Sequence, residues 1–382
     1  MSTGPAIVGL GVTPMSTTPG GTALEFAAAA VADCLRDAAV GIEEIDGLLV
    51  CSSQGVRPDR LGIGFAKGGG FGALRLLEHV EIKGASTAAM LDRAVLAIAA
   101  GRAHSVLSVF ADAPLRPGRR AGSTYAHSGG TDGVRGLERA GGLLGSVPTY
   151  ALLANRYLAV TGTDPAAIGA VAVTARRWAV DNPRAVNREP LDVAGYLAST
   201  MVADPLRVLD CARPVNGAAA VLVSDRRPNS HRSLIVRGAS FEHPVRRRRA
   251  GGESWFGGGG SAASDALTAA GMTHADIDVV QLYDPFSIMT LCLLEEYGFA
   301  KPGNAGAMAL GGDLAPGGAL PTNTGGGALS GFYLPGMTPV VEAIEQLRGD
   351  AGARQVPEAR TAFVSGLGGR NDHHAALVLE AT

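Results

Sequence analysis

The sequence predicts a duplicated α/β fold, and three observations predict it. A helix-and-strand signature recurs at one constant offset: Asp33-Cys34-Leu35, Ala38 and Ile45-Asp46 match Asp265-Ala266-Leu267, Ala270 and Ile277-Asp278. A glycine-started apolar helix followed by a strand also appears in each half, over residues 84–100 and 106–110, then 336–347 and 362–364. Units of this kind in the same order imply one α/β unit used twice. Finally, 382 residues with 46% hydrophobic and 18% charged side chains exceed one ordinary core and suit two.

The elements follow in order. Residues 6–12 read as a buried strand, residues 24–39 carry apolar side chains at helical spacing, and residues 45–50 return to a short strand. The junction falls where Asp-Arg-Arg-Pro-Asn-Ser separates a strand over 219–223 from one over 234–236, dividing the chain into halves 1–228 and 229–382. Two long glycine-rich or polar segments interrupt the pattern, residues 114–146 in the first half and 242–260 in the second. Loops of that length in compact domains are functional or disordered.

Composition removes several classes. A net charge of −2 gives no support for nucleic-acid binding. The four cysteines, Cys34, Cys51, Cys211 and Cys292, show neither metal-ligand spacing nor a disulfide framework. No signal peptide is legible at the N-terminus and no apolar run reaches membrane-spanning length. The expectation is a cytoplasmic protein with no bound metal and no membrane insertion.

Helix N-termini present free N–H groups and partial positive charge, and a glycine there lets a ligand approach the backbone. Gly84-Ala85-Ser86-Thr87 reads as a seat for an anion or a polarised carbonyl, or else as an ordinary cap through Ser86 or Thr87.

Five segments, in order along nearly the whole chain, resemble the thiolase superfamily. Residues 84–101, closing on Gly101-Arg102-Ala103, resemble its nucleophile helix. Asn216-Gly217-Ala218-Ala219-Ala220 resembles its Asp-Gly-Ala-Ala strand, and Tyr283-Asp284-Pro285-Phe286-Ser287 its Asn/His-Glu-Ala-Phe element. Gly325-Gly326-Gly327 through Gly331-Phe332-Tyr333 resembles its Gly-His-Pro segment, and Gly366-Leu367-Gly368-Gly369 its Cys-Ile-Gly-Gly loop. The resemblance implies the duplicated thiolase fold, a layered αβαβα arrangement of two pseudo-equivalent halves. The family's chemistry does not carry over. Its nucleophilic cysteine falls on Gly84, its acid/base cysteine on Gly366, and its histidine on Phe332 or, with one residue of slippage, Tyr333. Without a thiolate there is no acyl-enzyme. Cys292, in Leu291-Cys292-Leu293-Leu294, reads as a buried helix face.

Tyrosines in these two motifs, with Tyr333-Leu334-Pro335-Gly336 as a Tyr-X-X-Gly pattern, resemble the steroid side-chain-cleaving aldolases of the superfamily. That resemblance implies retro-aldol cleavage of a β-hydroxyacyl-CoA to a ketone and a short acyl-CoA. Tyr333 is assigned to the hydroxyl and Tyr283 to the enolate, although the reverse order also satisfies the chemistry. A phenol pKa near 10 falls beside positive charge, which makes a tyrosinate base conceivable. Gly84, Ser86, Gly366 and Gly368 form the expected oxyanion and substrate-binding set. Asp284 orients a phenol or caps the helix that follows, and His374 lines the site. The run Arg246, Arg247, Arg248 and Arg249 suits the phosphates of CoA, an acidic partner or plain solvent. Coenzyme A enters as part of the substrate and no separate cofactor is expected. The implied partners are a second copy of the chain and a small OB-fold acyl-CoA-binding protein, together a heterotetramer. The alternatives are an acyltransferase of secondary metabolism using Ser86, or a catalytically silent acyl-CoA-binding subunit.

Overall fold

In the computed structural model, the described residues are 4–53, 60–124, 133–226, 233–244, 258–369 and 371–382. Nine strands make the main sheet: β1 (Ala6–Val12), β2 (Gly47–Cys51), β3 (Leu76–Val80), β4 (Ser105–Asp112), β5 (Gly217–Ser224), β6 (Leu234–Glu242), β7 (Val279–Gln281), β8 (Thr361–Gly368) and β9 (His373–Ala381). Their spatial order is β3-β2-β4-β5-β1-β6-β9-β8-β7. From β2 to β7 this order is a palindrome about the β1/β6 junction. Each half pairs its first strand antiparallel with its last, its last antiparallel with its penultimate, and its penultimate parallel with its second. Among the described residues, the two halves of the sheet join through the ladder pair Ile7 with Leu234. This topology is the duplication read from the repeats, and the junction proposed at 228/229 lies outside the described residues.

The helices repeat the symmetry. Helix α1 (Ala23–Ala38) sits against β1 and β5, and its counterpart α4 (Gly260–Ala270) against β6 and β9. Thr22 and Glu25 close a capping box at the start of α1, satisfying backbone donors that the first turn leaves free. Helices α2 (Ser86–Ala99) and α6 (Met337–Arg348) touch each other and strands of both halves. Leu91, Ala94, Val340 and Ile344 share one core cluster with Val106, Ala219, Ala362 and Leu377. Outside it, Ala27, Ala30 and Cys34 of α1 pack on Val8, Leu48 and Leu107. On the opposite side, Leu267 of α4 and helix α5 (Ser287–Glu296), buried from Ser287 to Glu295, pack on Val280, Phe363 and Val378. The result is α1, half-sheet, α2 with α6, half-sheet, α4 with α5, which is the expected αβαβα layering. Each fully buried Leu or Val contributes about 1.5–3 kcal/mol, so the central layer fixes α2 and α6 firmly.

Residues 114–146, expected as an irregular insertion, include a helix at Gly133–Ala140 and lead into α3 (Val147–Thr161). Among the described residues no single helix is long and apolar enough to cross a membrane.

Candidate active site

The starts of α2 and α6 meet back to back. A Cβ on Gly336, where φ is +73°, would stand 2.3 Å from the Gly84 carbonyl oxygen. Glycine at 336 therefore permits both the left-handed turn and the close approach of the helices. Around this junction three segments converge: the end of β7 carrying Tyr283, the turn before α6 carrying Tyr333, and the end of β8.

Tyr283 is held by its backbone, which donates to Ser365 Oγ at 3.0 Å, while the preceding Leu282 N–H donates to Asn323 Oδ1 at 2.6 Å. Behind them Gln281 donates to Thr324, Thr324 to Glu342, and Glu342 pairs with Arg354. This is a buried, mutually satisfied network of the kind that rigidifies a core. Tyr333 follows a π-type turn at Gly327–Gly331 and bridges to Pro214 through its backbone. Asp284 Oδ1 accepts the Ala328 N–H of that turn at 2.7 Å. One carboxylate thus ties the segment bearing Tyr283 to the segment bearing Tyr333. The two phenol oxygens lie 2.8 Å apart, their rings tilted at 46°.

The pair faces a cavity of about 690 Å³, within the range of small-molecule sites. Gly84, Asp112, Tyr283 and Tyr333 line its polar part. Tyr150 and Phe286, stacked at 4.3 Å and 24°, form a flat aromatic wall extended by Leu143 and Val147. Glu81 and Lys83, ion-paired at 2.8 Å, occupy another edge. Cys211 is the one cysteine lining the cavity, but burial and the Asp210 charge push its thiol up to about 12. At neutral pH it is no thiolate nucleophile.

Several expectations change against this geometry. Glycine at position 84, where the family carries a cysteine, does not leave open space. A Cβ there would stand 2.7 Å from Tyr283 Cζ and 2.3 Å from the Leu367 carbonyl oxygen, so the Tyr283 ring occupies the room that glycine releases. The Tyr333 phenol does not fall toward a tyrosinate. Burial, then the charges of Asp112 and Asp284, hold it up at about 12 against the lowering effect of the Tyr283 hydrogen bond. Tyr333 is therefore a neutral donor at pH 7. Ser86 lies outside the cavity lining, its Oγ accepting the Ile82 N–H at 2.7 Å, so it serves as a turn cap in place of a nucleophile. His374 is buried beside Tyr297, its Nδ1 3.0 Å from that hydroxyl, and burial holds its pKa down near 4. It does not join the tyrosines.

Asp284 is buried, with its pKa pushed up to about 7 mainly by loss of water. It caps the turn before Tyr333 and not α5, which begins after Phe286 with no side-chain cap. Gly366 and Gly368 face the backbone of the α2 start, where added Cβ atoms would meet Ala85 Cα at 3.0 Å and Ile82 O at 2.1 Å. It is Leu367 and Gly369 that reach the cavity. The run Arg246 to Arg249 lies outside the described residues. Among the described residues, no group of three or more His, Cys, Asp or Glu is placed to hold a metal ion.

Sequence reading missed Asp112, Glu81, Lys83 and Tyr150. Asp112 was within reach: it continues the strand read over 106–110, and period-2 alternation puts it on the same face as Val106 and Phe110.

Residues 254–381 match the thiolase C-terminal domain-like family. The chain is 30% identical to a 17-hydroxy-3-oxo-4-pregnene-20-carboxyl-CoA lyase of Mycobacterium tuberculosis, over 90% of this chain and 91% of that protein. It is 29% identical to a steroid side-chain-cleaving aldolase of Thermomonospora curvata, over 90% of each. Among solved structures, an Ltp2-ChsH2(DUF35) aldolase superposes with a TM-score of 0.86 at 27% identity, covering 99% of this chain and 98% of that one. A thiolase frame without its sulfurs, a touching tyrosine pair and relatives of matching length agree: the chain belongs to the thiolase-fold family of steroid side-chain-cleaving aldolases, which are carbon–carbon lyases.

Proposed function

We propose that this protein cleaves a steroid side-chain CoA thioester bearing a tertiary β-hydroxyl, by retro-aldol reaction, to a ketone and a short acyl-CoA. The observation that carries the reading is the 2.8 Å contact between the Tyr283 and Tyr333 hydroxyls at the cavity's polar end. A hydrogen-bonded pair of phenols in a low-dielectric site can hold a developing oxyanion and return a proton to carbon. Tyr283 packs against Gly84 at the start of the nucleophile-type helix, which favours it for the enolate side. Tyr333, whose phenol feels the Asp112 charge, suits the hydroxyl side.

The Tyr150 and Phe286 wall offers a flat apolar surface for a fused-ring fragment. Coenzyme A arrives and leaves as part of substrate and product. The DUF35 partner named in the solved relative supports pairing with a small acyl-CoA-binding protein, and pairing of two copies of the chain completes a heterotetramer. A cytoplasmic location accompanies this reading. The test is a cleavage assay of the chain co-expressed with a DUF35 partner, offering tertiary β-hydroxyacyl-CoAs of different ring number. Ketone release that requires the fused-ring substrate supports the proposal; absence of ketone from every candidate overturns it.

A further inference from the structure

The aromatic wall of the cavity is built from both halves of the chain, and one buried carboxylate joins its two supports. Tyr150 stands on α3, and Phe286 immediately precedes α5. Their rings stack at 4.3 Å and 24°, a geometry that holds only while the spacing of the two backbones holds.

Asp210 is 0% exposed, and three donors converge on it. Its Oδ1 accepts the hydroxyl of Ser287, the first residue of α5, at 2.8 Å. Its Oδ2 accepts the Arg207 N–H at 2.7 Å and the Tyr196 hydroxyl at 2.9 Å. Arg207 ends a small hairpin of strands Met201–Ala203 and Leu206–Arg207. Helix α3 rests on that hairpin, with Asn155 Nδ2 donating to the Asp204 carbonyl at 2.9 Å. One oxygen of Asp210 therefore holds the Phe286 side of the wall, and the other holds the Tyr150 side. The chain just after it reinforces the joint: Cys211 bridges to Phe286, and the Ala212 N–H donates to the Pro285 carbonyl at 2.9 Å. A carboxylate suits this position because both its oxygens only accept. An amide of the same shape would set one of its own donors against a donor.

We infer, resting on the aldolase reading, that Asp210 is a positioning residue that sets selectivity for fused-ring acyl-CoAs by keeping Phe286 stacked on Tyr150. It lies behind the cavity surface, which Tyr150, Cys211 and Phe286 supply, and so acts on substrate only through them. The same strap continues to Pro214, which bridges to Tyr333. Absolute rates therefore respond to any loosening of the strap, and the ratio between substrates isolates the wall.

The experiment uses the co-expressed complex and compares kcat/KM for a fused-ring tertiary β-hydroxyacyl-CoA with that for an open-chain one. Wild type, Asp210→Asn, Ser287→Ala and Tyr150→Leu are measured side by side. A misfit of one methylene in an apolar pocket is worth about 10- to 200-fold, so the fused-ring preference is expected to fall at least about tenfold in each variant. A merely structural Asp210 would lower both rates together and leave the ratio unchanged. A ratio within about threefold of wild type in Asp210→Asn overturns the assignment, and if that variant does not fold the same limit applies to Ser287→Ala. A ratio that collapses in Asp210→Asn but not in Tyr150→Leu also overturns it, because Asp210 would then act by another route. No ketone from wild type with either substrate overturns the aldolase reading instead. The ratio of affinities for the matching acyl-CoAs that lack the hydroxyl, measured by calorimetry on the same proteins, then decides the Asp210 assignment by the same limits.

Discussion

Replacing Gly84 by alanine adds one methyl group at the point where the nucleophile-type helix meets the catalytic pair. The new Cβ would stand 2.3 Å from the Leu367 carbonyl oxygen and 2.7 Å from Tyr283 Cζ, whereas real Cβ atoms keep about 3.0 Å. The carbonyl would have to retreat by about 0.7 Å and the ring by about 0.3 Å. Leu367 lies inside β8, paired with β9, so the strand resists and the ring takes most of the movement. Overpacking of this kind costs about 1–3 kcal/mol. Misplacement of a reacting group by about 1 Å costs roughly 10²-fold in rate, so a shift of a few tenths, amplified at the hydroxyl, is expected to cost about 10- to 100-fold. The assay is steady-state ketone release beside a thermal melt, with Gly68→Ala as control because nothing lies within 4 Å of its added Cβ. A Gly84→Ala enzyme with wild-type kcat would refute the claim that glycine at 84 exists to admit the Tyr283 ring. Gly84→Cys meets the same overlap and is expected to form no acyl-enzyme.

Tyr283→Phe and Tyr333→Phe each delete one hydroxyl of a 2.8 Å pair, and each should lower kcat by about 10²- to 10⁴-fold while the melting temperature stays within a few degrees. If the pair works as a unit, the double variant should be no slower than the worse single one, and strictly multiplicative losses would show independent roles. Asp284, wholly buried with a folded pKa near 7 against about 3.9 unfolded, binds more protons folded than unfolded between pH 4 and 7. Stability should therefore fall as pH rises through that window, by at most about 4 kcal/mol, and Asp284→Asn should flatten the dependence; parallel melting curves for the two proteins would contradict this. Ser86→Ala removes the acceptor of the Ile82 N–H and should cost about 0.5–2 kcal/mol of stability without introducing or removing any acyl adduct.

The fold was legible because it rests on repetition. Residues 33–46 and 265–278 announced the two outer helices and the strands after them, and the glycine-started segments announced α2 and α6. The tyrosines were legible because each stands inside a motif whose neighbours are recognisable. What escaped was anything set by side-chain direction or by approach from distant segments. Asp112 was lost when the strand was ended two residues early at Phe110. Tyr150, on a helix after a segment read as a loop, lines the site stacked on Phe286 from the other half. His374 neighbours a glycine loop that touches the cavity, yet strand alternation turns it toward Tyr297. The phenol of Tyr333 was expected to gain acidity from cations, but burial and two carboxylates decide its state.

The central claim is that carbon–carbon cleavage occurs with no covalent attachment of the acyl group. Intact-protein mass spectrometry and product quantification on the same quenched reaction test it together. The account predicts ketone and short acyl-CoA in equal amounts, an unmodified protein mass at every time point, and loss of both products in Tyr283→Phe and Tyr333→Phe. An acyl adduct that forms and decays at the rate of turnover would contradict it.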